Sequence, residues 1–186
     1  MQNDNICNKM VKPIIIIGGA IPVIFAVLIV IPLITAPEIP NTAIDPLDTS
    51  EIEFTKHQLQ KISLGVTDRL VSEQTEIIVL RNNGVVTYSI TKDGIASPEK
   101  TIQLDSSKRL RLVAMIKETG FLSLPFESFS IKDDVVKYQK FGVKITLNDD
   151  MKQLYWPEQD ATEKMIPPII TMVQEELEGI MNSIRE

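Results

Sequence analysis

The chain has 186 residues, a formal net charge of −6 at pH 7, one histidine and one cysteine. An acidic chain is a poor partner for nucleic acid or for an anionic lipid surface. With so few imidazole and thiol groups, soft or imidazole-rich metal sites are almost excluded and an internal disulfide is impossible, so any folded domain depends on its hydrophobic core.

The first predicted element is a transmembrane helix over residues 14–36, a stretch without a charged side chain. At a rise of ~1.5 Å per residue, such a helix is long enough to cross a hydrocarbon core of about 30 Å. Lys9 and Lys12 precede it, whereas the first charges after it are acidic. This asymmetry predicts a cytoplasmic segment 1–13 and an external C-terminal part. A cleaved signal peptide is the alternative, but its apolar region is normally shorter, ~7–15 residues.

Three small or ring-shaped residues recur along one face of the predicted span. Gly18, Pro22 and Ala26 are spaced four residues apart, so a partner helix could approach closely there. The alternative is that glycine and proline are simply common in such helices. Cys7, on the cytoplasmic side, is either an unmodified thiol or a palmitoylation site.

Residues 37–53 are rich in proline and acidic side chains, and this composition predicts a semi-rigid spacer. The remaining residues, 54–186, are enough for one external domain. Its first strand is predicted from Phe54 to about Val66, where apolar residues partly alternate, with a helix as the alternative for the first half.

The clearest hairpin lies within residues 76–90, where Asn82-Asn83-Gly84 separates two β-rich runs. Asn and Gly tolerate the positive φ angles that such turns require. A second turn at residues 92–94 and a short strand over residues 100–104 follow.

Later elements carry equally plain signals. Asp105-Ser106-Ser107 predicts the start of a helix that ends near Gly120. Strict alternation over residues 140–147 predicts a half-exposed strand, which a turn joins to a partner strand ending at Pro157. Apolar residues at helical spacing predict a last helix over residues 167–184, lying across the sheet.

The loop over residues 126–136 is polar except for Phe126, Phe129 and Ile131. We expect these three side chains to hold the loop against the core. Exposure of the three as a binding patch is the alternative.

The elements together predict an α+β domain with a mainly antiparallel sheet of five or six strands and two principal helices. Met165, Met172 and Met181 are predicted to fill the core side of the last helix rather than to bind copper. For Trp156, a core position at the sheet edge and a role as a partner-binding anchor are both open.

No catalytic constellation is evident, because His57 is the only histidine and no partner for it can be assigned. The acidic pairs Asp133-Asp134 and Asp149-Asp150 are predicted to be solvated turns, with a hard-cation site as the alternative. We therefore expect no enzyme activity, no metal and no cofactor.

Several short motifs carry a resemblance: Arg81 and Gly84 between two strands, a helix, Phe121-Leu-Ser-Leu-Pro125, and an Asp134-x-x-x-Tyr138 motif before an alternating strand. In this order they resemble the emfourin family of small α+β inhibitors of thermolysin-like zinc metalloproteases, and related domains of bacterial and archaeal envelope proteins. The anchor and spacer resemble those of small single-span archaeal membrane proteins.

The sequence leaves two functions open. The first is a non-catalytic accessory subunit of a larger membrane complex, bound to a membrane-protein partner through the span and the external domain. The second, implied by the resemblance, is a tethered protease inhibitor that meets the protease with Arg81, Asn82, Asn83 and Gly84. In the family, the arginine is followed by a Gly-Gly-Phe-Ala-Gly loop, which is not present here.

Overall fold

The computed structural model of the protein describes residues 48–65 and 67–185. The predicted span, the cytoplasmic segment and most of the spacer lie outside these residues. So do the residues of the predicted packing face, Gly18, Pro22 and Ala26. Within the described part of the chain, no helix is long and apolar enough to cross a membrane.

The described residues form an α+β fold with one antiparallel sheet and two principal helices, as predicted. The strands are β1 (Ser50–Leu64), β2 (Thr67–Leu80), β3 (Val85–Lys92), β4 (Ile95–Ala96), β5 (Lys100–Gln103), β6 (Lys137–Leu147) and β7 (Asp150–Pro157). The helices are α1 (Ser106–Glu118) and α2 (Pro168–Arg185). The strand order is β4-β3-β2-β1-β6-β7, and β5 also pairs with β3. Six of the seven strands were predicted, and the seventh is the two-residue β4.

The first strand begins earlier than the sequence indicates. β1 starts at Ser50, so residues 50–53 belong to the sheet and not to the predicted spacer. Its first half pairs with both β2 and β6, and the alternative of a helix there is wrong.

Strand β2 extends far beyond its predicted range. β6 pairs with β1 only as far as Gln60, and β3 pairs with β2 only from Gln74 onward. Beyond these points, β1 and β2 continue together as a two-stranded arm. A bulge at its base places Gln58 opposite Gln74 but Leu59 opposite Ser72. A bulge of this kind bends the strand and increases the local twist of a ribbon.

Both predicted hairpin turns are confirmed. The β2–β3 turn contains Asn82-Asn83-Gly84, with Gly84 at φ +81°, and the β6–β7 turn contains Asn148 at φ 55°. Glycine and asparagine adopt such positive φ angles at the lowest cost.

One face of the sheet carries the core. The alternate residues of the strands that point to this face are buried against α1 and α2. At its centre Phe54, Phe141 and Trp156 stack in series, with ring centroids 6.2 and 6.0 Å apart. Trp156 is therefore a core residue, and its indole Nε1 donates a hydrogen bond to Gln174 Oε1 at 2.7 Å.

Helix α1 begins and ends as predicted. The Asp105 side chain accepts a hydrogen bond from Ser107 N, and Gly120 follows the helix in the left-handed conformation at φ 70°. Phe121 then folds back into the core, where it is fully buried.

Helix α2 crosses the sheet from β7 to β2, as predicted. Trp156 on β7 bonds Gln174, Lys56 on β1 pairs with Glu178 at 2.6 Å, and Glu76 on β2 binds the last described residue, Arg185.

The predicted burial of three methionines is only partly right. Met181 is buried in the core, but Met165 precedes α2 and is 77% exposed, and Met172 is 44% exposed. Met165 is exposed because it lies before the helix, and Met172 because it lies beside the stripe of α2 that packs on the sheet.

Candidate functional site

An aromatic groove lies on the sheet face that the helices leave open. It has a volume of about 230 Å³ and lies between β6–β7 and the loop after α1. The residues that line it include Phe126, Phe129, Tyr138, Lys140, Tyr155 and Pro157. We call this feature the aromatic groove.

Tyr138 is the most deeply buried of these residues. It is only 5% exposed, although it points to the open face, because the loop covers its ring. Burial raises the pKa of its hydroxyl above the ordinary tyrosine value. Among the described residues no group hydrogen-bonds to this hydroxyl, and the hydroxyl oxygen still has access to solvent. A ligand or a water molecule in the groove can therefore bond to it.

Tyr155 forms one wall, and the position of its ring depends on a glycine. Gly142 lies directly opposite Tyr155 in the β6–β7 register. A Cβ atom at Gly142 would lie 2.7 Å from the Tyr155 ring, a distance that side chains do not tolerate. The ring therefore occupies the space that the missing side chain of Gly142 leaves free.

The loop after α1 forms the opposite wall. Phe129 and Ile131 are partly buried and hold the loop, as predicted, and Lys164 Nζ lies 5.4 Å from the centroid of the Phe129 ring. Phe126 is 76% exposed, so for this residue the predicted contact with the core is wrong. An exposed phenylalanine beside an aromatic groove is instead a candidate binding element, because large exposed apolar patches mark interaction sites.

The rim of the groove carries a positive charge. Lys140 Nζ lies 5.4 Å from the centroid of the Tyr155 ring, and Lys140 has no ion pair within the described ranges. Its charge also reaches His57, which lies directly across from it on β1. Burial, and next the charge of Lys140, lower the pKa of His57 below the ordinary histidine value.

A wider polar depression adjoins the aromatic groove. It has a volume of about 720 Å³ and shares Ser128 and Ile131 with the groove. An extended chain seated in the groove could therefore continue into this depression.

The ring of His57 on β1 faces hydroxyl side chains of β2. Its Nδ1 lies 2.9 Å from Thr75 Oγ1, which in turn lies 2.9 Å from Ser72 Oγ. In the described residues no carboxylate contacts the His57 ring, so the ring is not oriented as the catalytic base of a hydrolase is.

The same part of the chain also holds no cluster of His, Cys, Asp or Glu that could bind a metal ion. The acidic pairs Asp133-Asp134 and Asp149-Asp150 are exposed.

The turn at residues 81–84 lies at the end of the sheet where β1 begins. Ser50 N donates to Asn82 Oδ1 at 3.3 Å, and Asn83 Oδ1 accepts from Val85 N at 3.0 Å. The Gly84 carbonyl accepts a hydrogen bond from Leu104 N. Two of the predicted partner-binding side chains are thus used within the fold, whereas Arg81 is exposed.

No protein-family model matches the chain, and no curated protein matches its sequence. The emfourin resemblance is thus carried by the short sequence motifs alone. The sequence did hold one signal for the aromatic groove, namely the aromatic residues of an otherwise polar loop. It held none for the contact between Gly142 and Tyr155, which arises from strand register.

Proposed function

We propose that this protein is a membrane-tethered interaction module outside the cytoplasm and serves as a non-catalytic accessory subunit of a larger membrane complex. The observation that carries the proposal is the aromatic groove, beside which the rings of Phe126 and Tyr155 are both exposed. Aromatic side chains beside such a recess are typical anchors of protein interfaces.

The size of the groove favours a protein partner over a small molecule. Pockets for small molecules usually have volumes of about 300–1,000 Å³, and a groove of about 230 Å³ is better suited to one or two side chains of a partner. The loop is also held in place by Phe129, so the groove does not have to form at the moment of binding.

The predicted tether determines where that partner lies. Residues 37–47 separate the predicted span from the described domain, and at ~3.3–3.6 Å per residue they reach at most about 40 Å. The domain is then confined to a layer next to the membrane, where the external parts of other membrane proteins are its nearest neighbours. Gly18, Pro22 and Ala26 offer a second contact within the bilayer.

The topology has a direct test. When intact cells carrying the full chain with a different epitope tag at each end are treated with protease, we expect the C-terminal tag to be lost and the N-terminal tag to be protected. The reason is the placement of Lys9 and Lys12 before the span and acidic residues after it. Immunoblotting of both tags is the measurement. Protection of the C-terminal tag in intact cells, with loss after lysis, would contradict the proposed orientation.

The partner contact has a second test. The full chain, purified from its native membrane in mild detergent, should carry a stoichiometric partner that mass spectrometry identifies. Replacing Phe126 and Tyr155 together with Ala should weaken this partner's binding by at least about 30-fold, because even one aromatic anchor contributes about 2 kcal/mol or more to such a contact. Gly142→Ala should also weaken it, because the new Cβ displaces the Tyr155 ring.

The matched control is Ile95→Ala, since Ile95 is 75% exposed against 76% for Phe126 and lies on β4 at the far edge of the sheet. It should leave partner recovery unchanged. Recovery of the chain only as a monomer, or equal loss in the control, would refute the accessory-subunit proposal. Recovery of a zinc metalloprotease whose binding depends on Arg81 and not on Phe126 would favour the inhibitor alternative, which rests on the exposed Arg81 side chain at the hairpin turn.

A further inference from the structure

Two unused polar groups converge on the aromatic groove. Tyr138 and Lys140 are two residues apart on β6 and therefore point to the same face, about 7 Å apart along the strand. The Tyr138 hydroxyl has no hydrogen-bond partner and Lys140 no ion pair within the described ranges. Both can donate hydrogen bonds, and one of them is a cation, so together they suit a carboxylate.

Most of the lining beside these donors is apolar, and the carboxylate of Glu127, which also lines the groove, is paired with Lys164 Nζ at 2.9 Å. Phe126 and Tyr155 supply exposed ring surface, and Phe129 and Pro157 extend the apolar lining. A ligand that fits both halves of the groove therefore has an apolar side chain directly next to a carboxylate.

We infer that the aromatic groove recognises an exposed segment of the partner protein in which an apolar side chain stands next to an aspartate or glutamate. The apolar side chain lies between Phe126 and Tyr155, and the carboxylate binds Lys140 Nζ and the Tyr138 hydroxyl. An internal segment fits better than a chain terminus, because the adjoining depression lets the partner chain continue past Ser128 and Ile131. This inference rests on the proposed function, since it names the chemistry of the partner at the same groove.

The chain carries a built-in reporter for this contact. His57 is the only histidine of the protein, and it lies opposite Lys140 in the β1–β6 register. A carboxylate bound to Lys140 offsets the positive charge that His57 experiences. The pKa of His57 should therefore rise when the groove is occupied.

The experiment uses the full chain in detergent micelles with isotopically labelled histidine, followed by NMR. The probes are the capped peptides acetyl-Gly-Phe-Asp-Gly-amide and acetyl-Gly-Phe-Asn-Gly-amide, added to about 10 mM, tenfold above the ~1 mM Kd of a marginal site. We expect the Asp peptide to shift the His57 resonances and raise the His57 pKa, and to bind at least about tenfold more tightly than the Asn peptide. A tenfold ratio is what one charge-assisted hydrogen bond supplies at the low end of its range.

Lys140→Met, which keeps the apolar stem but removes the charge, should abolish the preference for the Asp peptide, and Tyr138→Phe should reduce it. The matched control is Lys144→Met, a lysine on the same face of β6 that does not line the groove. A third peptide, acetyl-Gly-Phe with a free C-terminal carboxylate, distinguishes a terminus from an internal residue. Tighter binding of this third peptide than of the Asp peptide would overturn the internal-segment assignment.

Equal binding of the Asp and Asn peptides, or no change at His57 with either, would overturn the inference. This failure is distinct from failure of the proposed function. If only the inference fails, the native partner still co-purifies in a manner that depends on Phe126, but Lys140→Met leaves it bound. If the proposed function itself fails, no co-purifying partner depends on the aromatic groove for its binding.

Discussion

Replacing Phe141 with Ala should destabilise the external domain by about 3–5 kcal/mol, the usual cost of truncating a fully buried phenylalanine. Phe141 is 2% exposed and stacks between Phe54 and Trp156, and the ammonium of Lys56 lies 5.6 Å from the centroid of its ring. The cavity cannot easily close, because these neighbours lie on the two strands that flank β6, and the sheet hydrogen bonds fix those strands. Domains of this size are stable by only about 5–15 kcal/mol, so the loss is a large fraction of the total.

Urea unfolding of the full chain in detergent measures this effect. The protein contains a single tryptophan, Trp156, so its fluorescence reports only on the domain. With a slope of about 2 kcal/mol per molar urea, the midpoint for Phe141→Ala should fall by roughly 2 M. Phe126→Ala is the matched control, because the same truncation at a 76% exposed ring should change stability by less than about 0.5 kcal/mol. A fall of similar size in both variants would contradict the assignment of the core.

The contrast between these two phenylalanines indicates what the sequence could reveal. Phe141 lies in a strand with strict alternation, and alternation alone assigns it to the buried face. Phe126 lies in a loop without periodicity, and no pattern in the sequence distinguishes a ring that holds a loop from a ring that is exposed. Its exposure is decided by where Phe129 and Leu124, later and earlier in the same loop, reach the core.

Local turn and cap chemistry was predictable for a similar reason. Asn82-Asn83-Gly84 and Asp105 act on backbone groups a few residues away, so their effect can be inferred from adjacent residues. The two-stranded arm was not predictable, because both of its faces are wet and its first β2 residues carry no alternation. Only the pairing with β1 makes them a strand.

The groove depends on contacts between distant parts of the chain. Tyr155 meets Gly142 across a hairpin, and Tyr138 is covered by a loop that precedes its own strand. Each residue was visible in the sequence as an aromatic or a glycine in, or just before, a predicted strand. Their convergence follows from the β6–β7 register, which no local pattern specifies.

Loss of the buried carboxylate of Glu76, which lies beneath the end of α2, should cause the second large fall in the stability of the domain. Glu76 is 3% exposed and accepts hydrogen bonds from the Tyr88 hydroxyl at 2.8 Å, from Gln74 Nε2 at 2.7 Å and from the Arg185 guanidinium. Lys100 Nζ holds the same end of the helix, because it donates to the carbonyl oxygens of Ile184 and Arg185 at 3.2 and 3.0 Å. The carboxylate of Glu76 thus fixes the last turn of α2 to β2.

The protonation of Glu76 is linked to folding. Burial alone would raise the pKa of this carboxyl, but the hydrogen bonds from Arg185, Tyr88 and Gln74 outweigh it, and the pKa lies below the ordinary value of about 4.5. The unfolded chain therefore takes up the proton at a higher pH than the folded one. The stabilisation by Glu76 is fully present above about pH 4.5 and is lost as the pH falls through the lower pKa of the folded state.

Glu76→Gln should accordingly destabilise the domain by about 2 kcal/mol at pH 7, the usual contribution of hydrogen bonds to a charged group. The figure is moderate because the Arg185 side chain is 49% exposed and can be hydrated once its partner is gone. Urea unfolding followed by Trp156 fluorescence at several pH values measures both size and direction. The difference in stability between the wild-type protein and Glu76→Gln should shrink as the pH falls below about 4.5, because the native carboxylate then becomes protonated.

The matched control is Glu175→Gln. It removes the same charge from an exposed glutamate on α2 and should leave stability and its pH dependence almost unchanged. A difference that stays constant from pH 7 to the acid limit would mean that the ionised form of Glu76 does not anchor α2.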